Sequence, residues 1–446
     1  MKKLITALLL VLATTVWAGD YEDGVAAYKK GDFTTASSLF QKTAEQGNSA
    51  AQYALALMYR EGKGVFRDDA EAVRWYKLAA AQGYSKAQYN LGLMYFFSEG
   101  VLQDYAEAAR WYKLAAEQSD SKAQYALALM YSEGKGVLQD YAQAARWYKL
   151  AAEQGDAAAQ YNLGLMYFFS EGVLQDYAEA ARWYKLAAEQ SHSKAQYALG
   201  RMYHTGEGVL QDYAEAVRWY KLAAAQSVSN AQHNLAVMYS EGKGVFRDDA
   251  EAVRWYKLAA EQGSTEAQFN LAVSYSEGKG VLQDYAQAVR WYKLAAAQGY
   301  SKAQYNLGFM YRDGNGVLQD HAEAVRLYKL AAEQGSTEAQ FNLGWMYKNG
   351  KGVLQDYVEA VRWFKLAATQ GNLDAQGNLA VMYMKGEGIT QDYLQAHMWM
   401  NLVAVSGMKD AQKARDVIAE KMTSQQIGKA QEMAKKCLAS KYKDCD

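Results

Sequence analysis

The sequence predicts an all-α solenoid, a stack of antiparallel helix pairs with one pair every 36 residues. Three observations carry this reading. The dipeptide Ala-Gln returns every 36 residues, eleven times from Ala51-Gln52 to Ala411-Gln412, and a fixed period of this length marks an array of units rather than one globular core. Around it recurs a near-constant text with apolar residues at helical spacing, such as Leu55, Met58 and Tyr59 followed by Val73, Tyr76 and Ala80. Proline is absent from the 446 residues, which removes the strongest helix breaker.

Residues 1–18 read as an export signal. Lys2 and Lys3 give a basic start, Leu4 to Val16 a short apolar run, and Val16-Trp17-Ala18 the small residues of a cleavage site after Ala18. The run is too short to span a bilayer, and no later stretch is long and apolar enough to do so. Losing Lys2 and Lys3 takes the formal charge from −1 to −3. A near-neutral, mildly acidic chain carries no electrostatic footprint for nucleic acid. A periplasmic or secreted location is expected.

Residues 19–50 form an atypical first unit with a shorter link at Lys30-Gly31-Asp32, and ten full units occupy 51–410. In the unit that begins at Ala51, Ser49 and Gln52 predict a capping box at the start of helix A, which ends near Gly62. A Gly-x-Gly-Val loop follows. Asp68 is the expected cap of helix B, with Glu71 reaching back to the same end, and the helix stops at Gly83. Ser98 and Ser170 stand where helix A has its stop glycine, and Ser119, Ser191 and Ser227 where helix B has it. Those ends are expected to be less sharply defined. Ala51, Ala72 and Ala79 let backbones approach while Leu55, Trp75 and Tyr76 fill the gaps, so the Trp75 series reads as packing. Residues 411–446 keep the Ala-Gln start and then diverge, as a terminal cap meeting water does. Thr423 to Gln426 predict the cap of a last helix through Ile427 and Ala430 to Cys437. The two cysteines, Cys437 and Cys445, either close a small disulfide loop or stay free. An oxidising compartment favours the bond, worth roughly 2–3 kcal/mol in the chain-entropy model.

The texts Ala87-Gln88-Tyr89-Asn90-Leu91-Gly92, Gly100-Val101, Gln103-Asp104-Tyr105-Ala106-Glu107-Ala108 and Trp111-Tyr112-Lys113-Leu114-Ala115-Ala116 resemble the Sel-one-like repeats, relatives of the tetratricopeptide repeats. The resemblance covers nearly all of the chain after residue 18. It implies a right-handed superhelix of helix pairs that binds other proteins, and exported bacterial members act in envelope assembly, signalling or host contact. The family often has proline after the loop Gly-Val. Here Phe66, Leu102 or Leu138 stands there, which suggests a less rigid loop. Some members staple each repeat with cysteines, and this chain does not.

Comparison between units locates a candidate surface. The varying positions of helix A are those of Lys86, Asn90, Leu93 and Phe97, spaced by four, three and four and so on one face. Ala87, Leu91 and Tyr95 are constant and lie on another. The resemblance places the varying face on the concave side of the superhelix. The Leu93 position becomes Arg201, Phe309 and Trp345 in later units. The position after Tyr95 holds Phe96, Phe168, His204, Arg312 and Lys348, and Phe96-Phe97 and Phe168-Phe169 pair two aromatics. Aromatics and arginine are the usual anchors of protein interfaces, so these residues are the candidate contacts for a protein partner, Trp345 foremost. The alternative role of each is gap filling or simple solvation. Residues 87–122 and 159–194 differ only at Asp120 and His192, the trace of a duplicated pair of units.

Enzymatic chemistry and cofactors are not expected. No two of His192, His204, His233, His321 and His397 sit four apart, and no metal-ligand spacing or nucleophile–base set is visible. Gly62-Lys63-Gly64 lacks the spacing of a phosphate loop and reads as linker. Recurrent Asp104 and Glu107 read as caps. A cell-wall glycan binder, with Tyr89 and Tyr161 stacking on sugars, is the alternative to protein binding, and a cell-wall or β-lactam hydrolase the remotest.

Overall fold

The computed structural model describes residues 19–442 and 444–445. The expected export signal, residues 1–18, lies outside them. Among the described residues every regular element is helical. They fall into two compact units, one ending at Gln226 and the other starting at Ser227. One helix pair builds both.

In residues 121–156 helix A spans Ser121–Glu133 and helix B Tyr141–Glu153, each 13 residues long. Helices this short are marginal alone in water, so burial holds them. Helix A buries Ala123, Gln124, Leu127, Ala128 and Met130, and helix B buries Ala144, Ala145, Trp147, Tyr148, Ala151 and Ala152. The alanines bring backbones close, and the large side chains of neighbouring repeats fill what remains. Trp147, Trp183 and Trp219 in the first unit and Trp291 and Trp363 in the second are all buried, the packing role expected of the series. Within the first unit one continuous core runs from Ala108 to Trp183. Within the second, the core around Phe364 and Trp399 extends to Cys437 and Cys445.

The helix A start differs from the expectation by one residue. The cap is the residue before the expected serine position: Asn48, Asp120, Asp156 and Asn372 accept from the backbone N–H three residues on. Gln52 and its equivalents turn inward. Gln124 Nε2 donates to the Ala116 carbonyl at 3.1 Å, and its Oε1 accepts from Gln154 Nε2 at 2.8 Å. The Ala116 carbonyl, at the end of helix B, also accepts from Ser119 N–H at 3.0 Å, and the glutamine adds a further bond to it from the next repeat. Helix B starts at its aspartate as expected: Asp104 Oδ1 accepts from the backbone N–H of Ala106 and Glu107. The glutamates do not reach back. Glu107 pairs with Arg110 at 3.2 Å and Glu71 with Arg74 at 3.1 Å, since a guanidinium one turn on competes for the carboxylate. A reciprocal capping box does form at Thr423 and Gln426, opening the last helix, Ser424–Ala439. Cys437 and Cys445 are joined by a disulfide, with Cα atoms 4.5 Å apart.

The serine-ended helices stop in the same register as the glycine-ended ones. Ser98 and Ser170 take left-handed φ of 61° and 62°, and Ser119, Ser191 and Ser227 take 65°, 64° and 63°. Helix closure outweighs the steric cost of a Cβ in this conformation. Replacing Ser119 and Ser191 by glycine is therefore expected to stabilise the chain by about 0.5–1 kcal/mol at each site, the left-handed penalty less the entropy glycine loses on folding. Circular-dichroism melting reads this as a higher midpoint; an unchanged midpoint refutes the strain.

The loop between the helices is pinned despite lacking proline. Asp140 N–H donates to the Tyr131 carbonyl at 3.0 Å, and Gln139 Nε2 to the Ser132 carbonyl at 2.8 Å. The leucine at the proline position points outward, with Leu138 91% exposed.

Candidate binding surface on the first helices of the repeats

The varying face of helix A borders a recurring cleft. In the first unit, helix A of residues Ser85–Phe97 and helix A of Ser121–Glu133 enclose about 320 Å³ open to solvent. Leu93, Phe96 and Phe97 form one wall, Tyr125, Leu129 and Glu133 the other, and Tyr112 of helix B the floor. In the second unit the same positions enclose about 320 Å³ between Val273, Ser276, Tyr292, Asn306 and Phe309. One repeat earlier they enclose about 240 Å³ among Ser240, Tyr256, Asn270 and Val273. Location and floor tyrosine are constant, while the walls change from aromatic to polar.

Phe96, Phe97 and Phe309 line these clefts, and the other seven sequence-derived candidates stand at the equivalent positions of their own repeats. Phe97 and Phe169 are 60% and 58% exposed, and each packs edge-on against its neighbour, Phe96 or Phe168, at 5.0 Å. Phe96 and Phe168 are half-buried against Tyr105 and Tyr177, so each aromatic pair has one seated and one presented ring. Arg201 is exposed and lies 5.8 Å from the Phe168 ring. His204 is half-buried, its Nδ1 3.4 Å from Tyr220 Oη. Phe309 and Trp345 each stand 39% exposed.

Arg312 and Lys348 are more engaged than solvated side chains. Arg312 stacks on Phe309 at 4.5 Å, pairs with Asp313 at 2.6 Å and reaches Asn342 of the next helix A at 3.5 Å. Lys348 donates to Asn378 at 2.8 Å, and burial pulls its pKa below the ordinary lysine value. Both therefore link neighbouring repeats as well as line the surface.

Tyrosines outside the ten candidates also line the cleft, Tyr89 and Tyr112 among them. Tyr89 and Tyr161 are half-buried, 5.8 Å and 5.7 Å from the rings of Tyr112 and Tyr184, and Tyr161 also stacks on His192 at 4.9 Å. Burial raises the pKa of Tyr89, Tyr112 and Tyr184, so these phenols stay protonated near neutral pH. At the varying Asn90 position, which is alanine in Ala54, Ala126 and Ala198, asparagines form a second feature: Asn90 and Asn162 approach Tyr53 and Tyr125, and Asn306 approaches Tyr292. Their recurrence in the sequence was the available signal.

His192 makes one end of this surface sensitive to pH. Its Nδ1 accepts from Ala195 N–H at 3.2 Å as the helix cap, which requires the neutral ring. Burial and then Lys194 depress its pKa below 6.5, against a smaller opposing effect of Asp156. With the folded value depressed, this contribution to stability is present above the ordinary value of 6.5 and is lost as pH falls through it toward the folded value. His233 and His397 shift the same way. Melting temperature is thus expected to fall between pH 7.5 and 5.5, and less so in His192→Asp, which copies the Asp120 cap. Equal falls in both proteins refute the role of the His192 cap.

The repeat text is matched by the Sel1 repeat family model eleven times, over 17–48, then successively from 49–84 to 337–372, and last 373–404. The chain belongs to the Sel1 repeat family. A solved structure of c5321, described as a protective antigen present in uropathogenic Escherichia coli strains with an SLR fold, is 36% identical. It covers 98% of this chain and 96% of its own, with a TM-score of 0.87. A Sel1 repeat protein from Oxalobacter formigenes is 32% identical over 73% of this chain and 93% of its own, with a TM-score of 0.55. No curated protein matches the chain. Sel1 repeat chains are scaffold folds suited to contact with other proteins, and the cleft fits that use. Among the described residues no three His, Cys, Asp or Glu side chains are grouped to hold a metal ion. No described helix is long and apolar enough to cross a membrane.

Proposed function

We propose that this Sel1 repeat chain is an exported, non-enzymatic scaffold that binds a protein partner through the row of clefts along the first helices of its repeats. The observation that carries this is the recurrence of one cleft with variable walls: the packing holds the position fixed while the chemistry presented changes from repeat to repeat. A preformed surface of this kind loses little conformational entropy on binding. The presented rings of Phe97, Phe169, Phe309 and Trp345 are the anchors, and their neighbours Phe96, Phe168, His204, Arg312 and Lys348 orient them. Export is supported by the basic-apolar start of the sequence and by the disulfide, which persists in an oxidising compartment. The similarity to an antigen of uropathogenic strains supports an envelope or extracellular setting with host contact within reach.

The test is affinity capture by the full chain from envelope and culture fractions, run beside two variants. A partner retained by the wild type and by Leu138→Glu, on the loop edge, but lost from Phe97→Glu/Phe309→Glu supports the reading. A partner lost only from Leu138→Glu refutes it.

A further inference from the structure

The aromatic wall of the cleft of residues 85–156 is repeated two repeats on, and the residues that face it there differ in chemistry. Phe168 and Phe169 repeat the geometry of Phe96 and Phe97. Facing Phe96, the next repeat brings Leu129, Glu133 and Lys135. The Lys135 ammonium lies 5.8 Å from the Phe96 ring and pairs with Glu133 at 2.7 Å. The charges lining this first cleft are Lys122, Lys135, Glu133 and Asp156, two of each sign. Facing Phe168, Arg201 replaces Leu129, Thr205 replaces Glu133 and Glu207 replaces Lys135. The Arg201 guanidinium takes the place over the ring. Among the described residues no carboxylate forms an ion pair with Arg201, nor with Lys194, the equivalent of Lys122.

An unpaired guanidinium held over one aromatic ring beside a second, presented ring is half of a recognition site. It offers forked donors that fit a carboxylate bidentately, next to an apolar plate. We propose that the first unit binds an acidic–apolar segment of its protein partner. One bulky apolar side chain seats on Phe96 and Phe97, and a carboxylate beside a second apolar side chain pairs with Arg201 above Phe168 and Phe169. This rests on the first helices being the binding face. Packed helices lie roughly 10 Å apart, so two repeats span about 20 Å, which extended chain covers in about six residues. The charge-balanced cleft takes the uncharged anchor; the cleft with Arg201 reads the acid.

The test is selection of random dodecapeptides on the immobilised full chain, followed by fluorescence anisotropy of the enriched peptides. The proteins compared are wild type, Arg201→Gln, Phe169→Ser and Phe309→Ser, each checked for unchanged helix content. Enriched peptides are expected to carry an Asp or Glu and two bulky apolar residues about six positions apart. Arg201→Gln is expected to weaken them at least tenfold, and replacing the peptide acid by its amide should cost as much on the wild type and nothing further on Arg201→Gln. Peptides that bind Arg201→Gln as well as wild type overturn the proposal; if they are then lost on Phe309→Ser, the helix-face reading survives without it. No enrichment over an uncoated surface, or binding that none of the variants changes, overturns both.

Discussion

Gly136→Ala is expected to lower the stability of the first unit by more than about 3 kcal/mol, whereas Gly155→Ala costs about 1 kcal/mol. Both glycines have left-handed φ, 69° and 92°, so both substitutions carry the same backbone penalty. They differ in what a methyl group meets. At Gly155 nothing lies within 4 Å. At Gly136 the Cβ falls on the carbonyl group of Tyr105, the first residue of helix B in the preceding repeat, Tyr105–Glu117. Backbone at a capped helix start cannot swing aside as a flexible side chain can. The contact recurs at Gly100 on Asp69 and Gly172 on Tyr141 within the first unit, and at Gly316 on Tyr285 and Gly352 on His321 within the second. Gly-x-Gly is therefore a joint between repeats. Stability in an array is a sum of repeat terms and interface terms, so breaking one joint should split the urea transition of Gly136→Ala into two. Equal shifts for the two variants would remove the joint.

That joint shows where the sequence was legible and where it was not. Helix ends were readable because their signals are local: Asp104 caps its own helix, and Gly134 ends its own. The second glycine of the loop was not, because its reason is a backbone group about 30 residues earlier, and by local rules it resembles any flexible linker. The same logic misplaced the cap of helix A. Ser49 and Gln52 satisfy the local pattern, but Gln52 is committed to Ala44 of the previous repeat at 3.0 Å, and Asn48 caps instead. At the candidate site, the varying walls were visible as differences between units, down to Arg201 and Phe309. The shared floor was invisible to that comparison, since the position of Tyr112 and Tyr292 is tyrosine in every full unit up to Tyr328, and identity between units does not separate a residue that packs from one that also lines a cleft.

Gln124→Leu is expected to cost about 1–2 kcal/mol although it replaces a buried polar side chain by an apolar one of similar size. Gln124 is only 3% exposed. Its amide group joins the Ala116 carbonyl at the end of one helix B to Gln154 at the end of the next. Leucine fills the space and removes both amide bonds, and the Ala116 carbonyl keeps only its backbone partners, such as Ser119 N–H at 3.0 Å; the cost is that of the two lost bonds. Gln154 is exposed and can turn to water, so Gln154→Ala alone should cost less than about 1 kcal/mol. Once Gln124 is leucine, Gln154→Ala should cost almost nothing more, and a double-mutant cycle by urea denaturation measures that coupling. The arrangement repeats at Gln88 and Gln160 in the first unit and at Gln268 and Gln376 in the second, each 3.0–3.1 Å from its carbonyl. Because the bond joins one repeat to the next, its loss should appear as faster amide exchange in helix A of 121–156 while residues 33–45 keep their protection. A Gln124→Leu protein within about 0.5 kcal/mol of wild type would mean that packing alone holds the repeats together; the Ala-Gln period would then record descent and not a structural requirement.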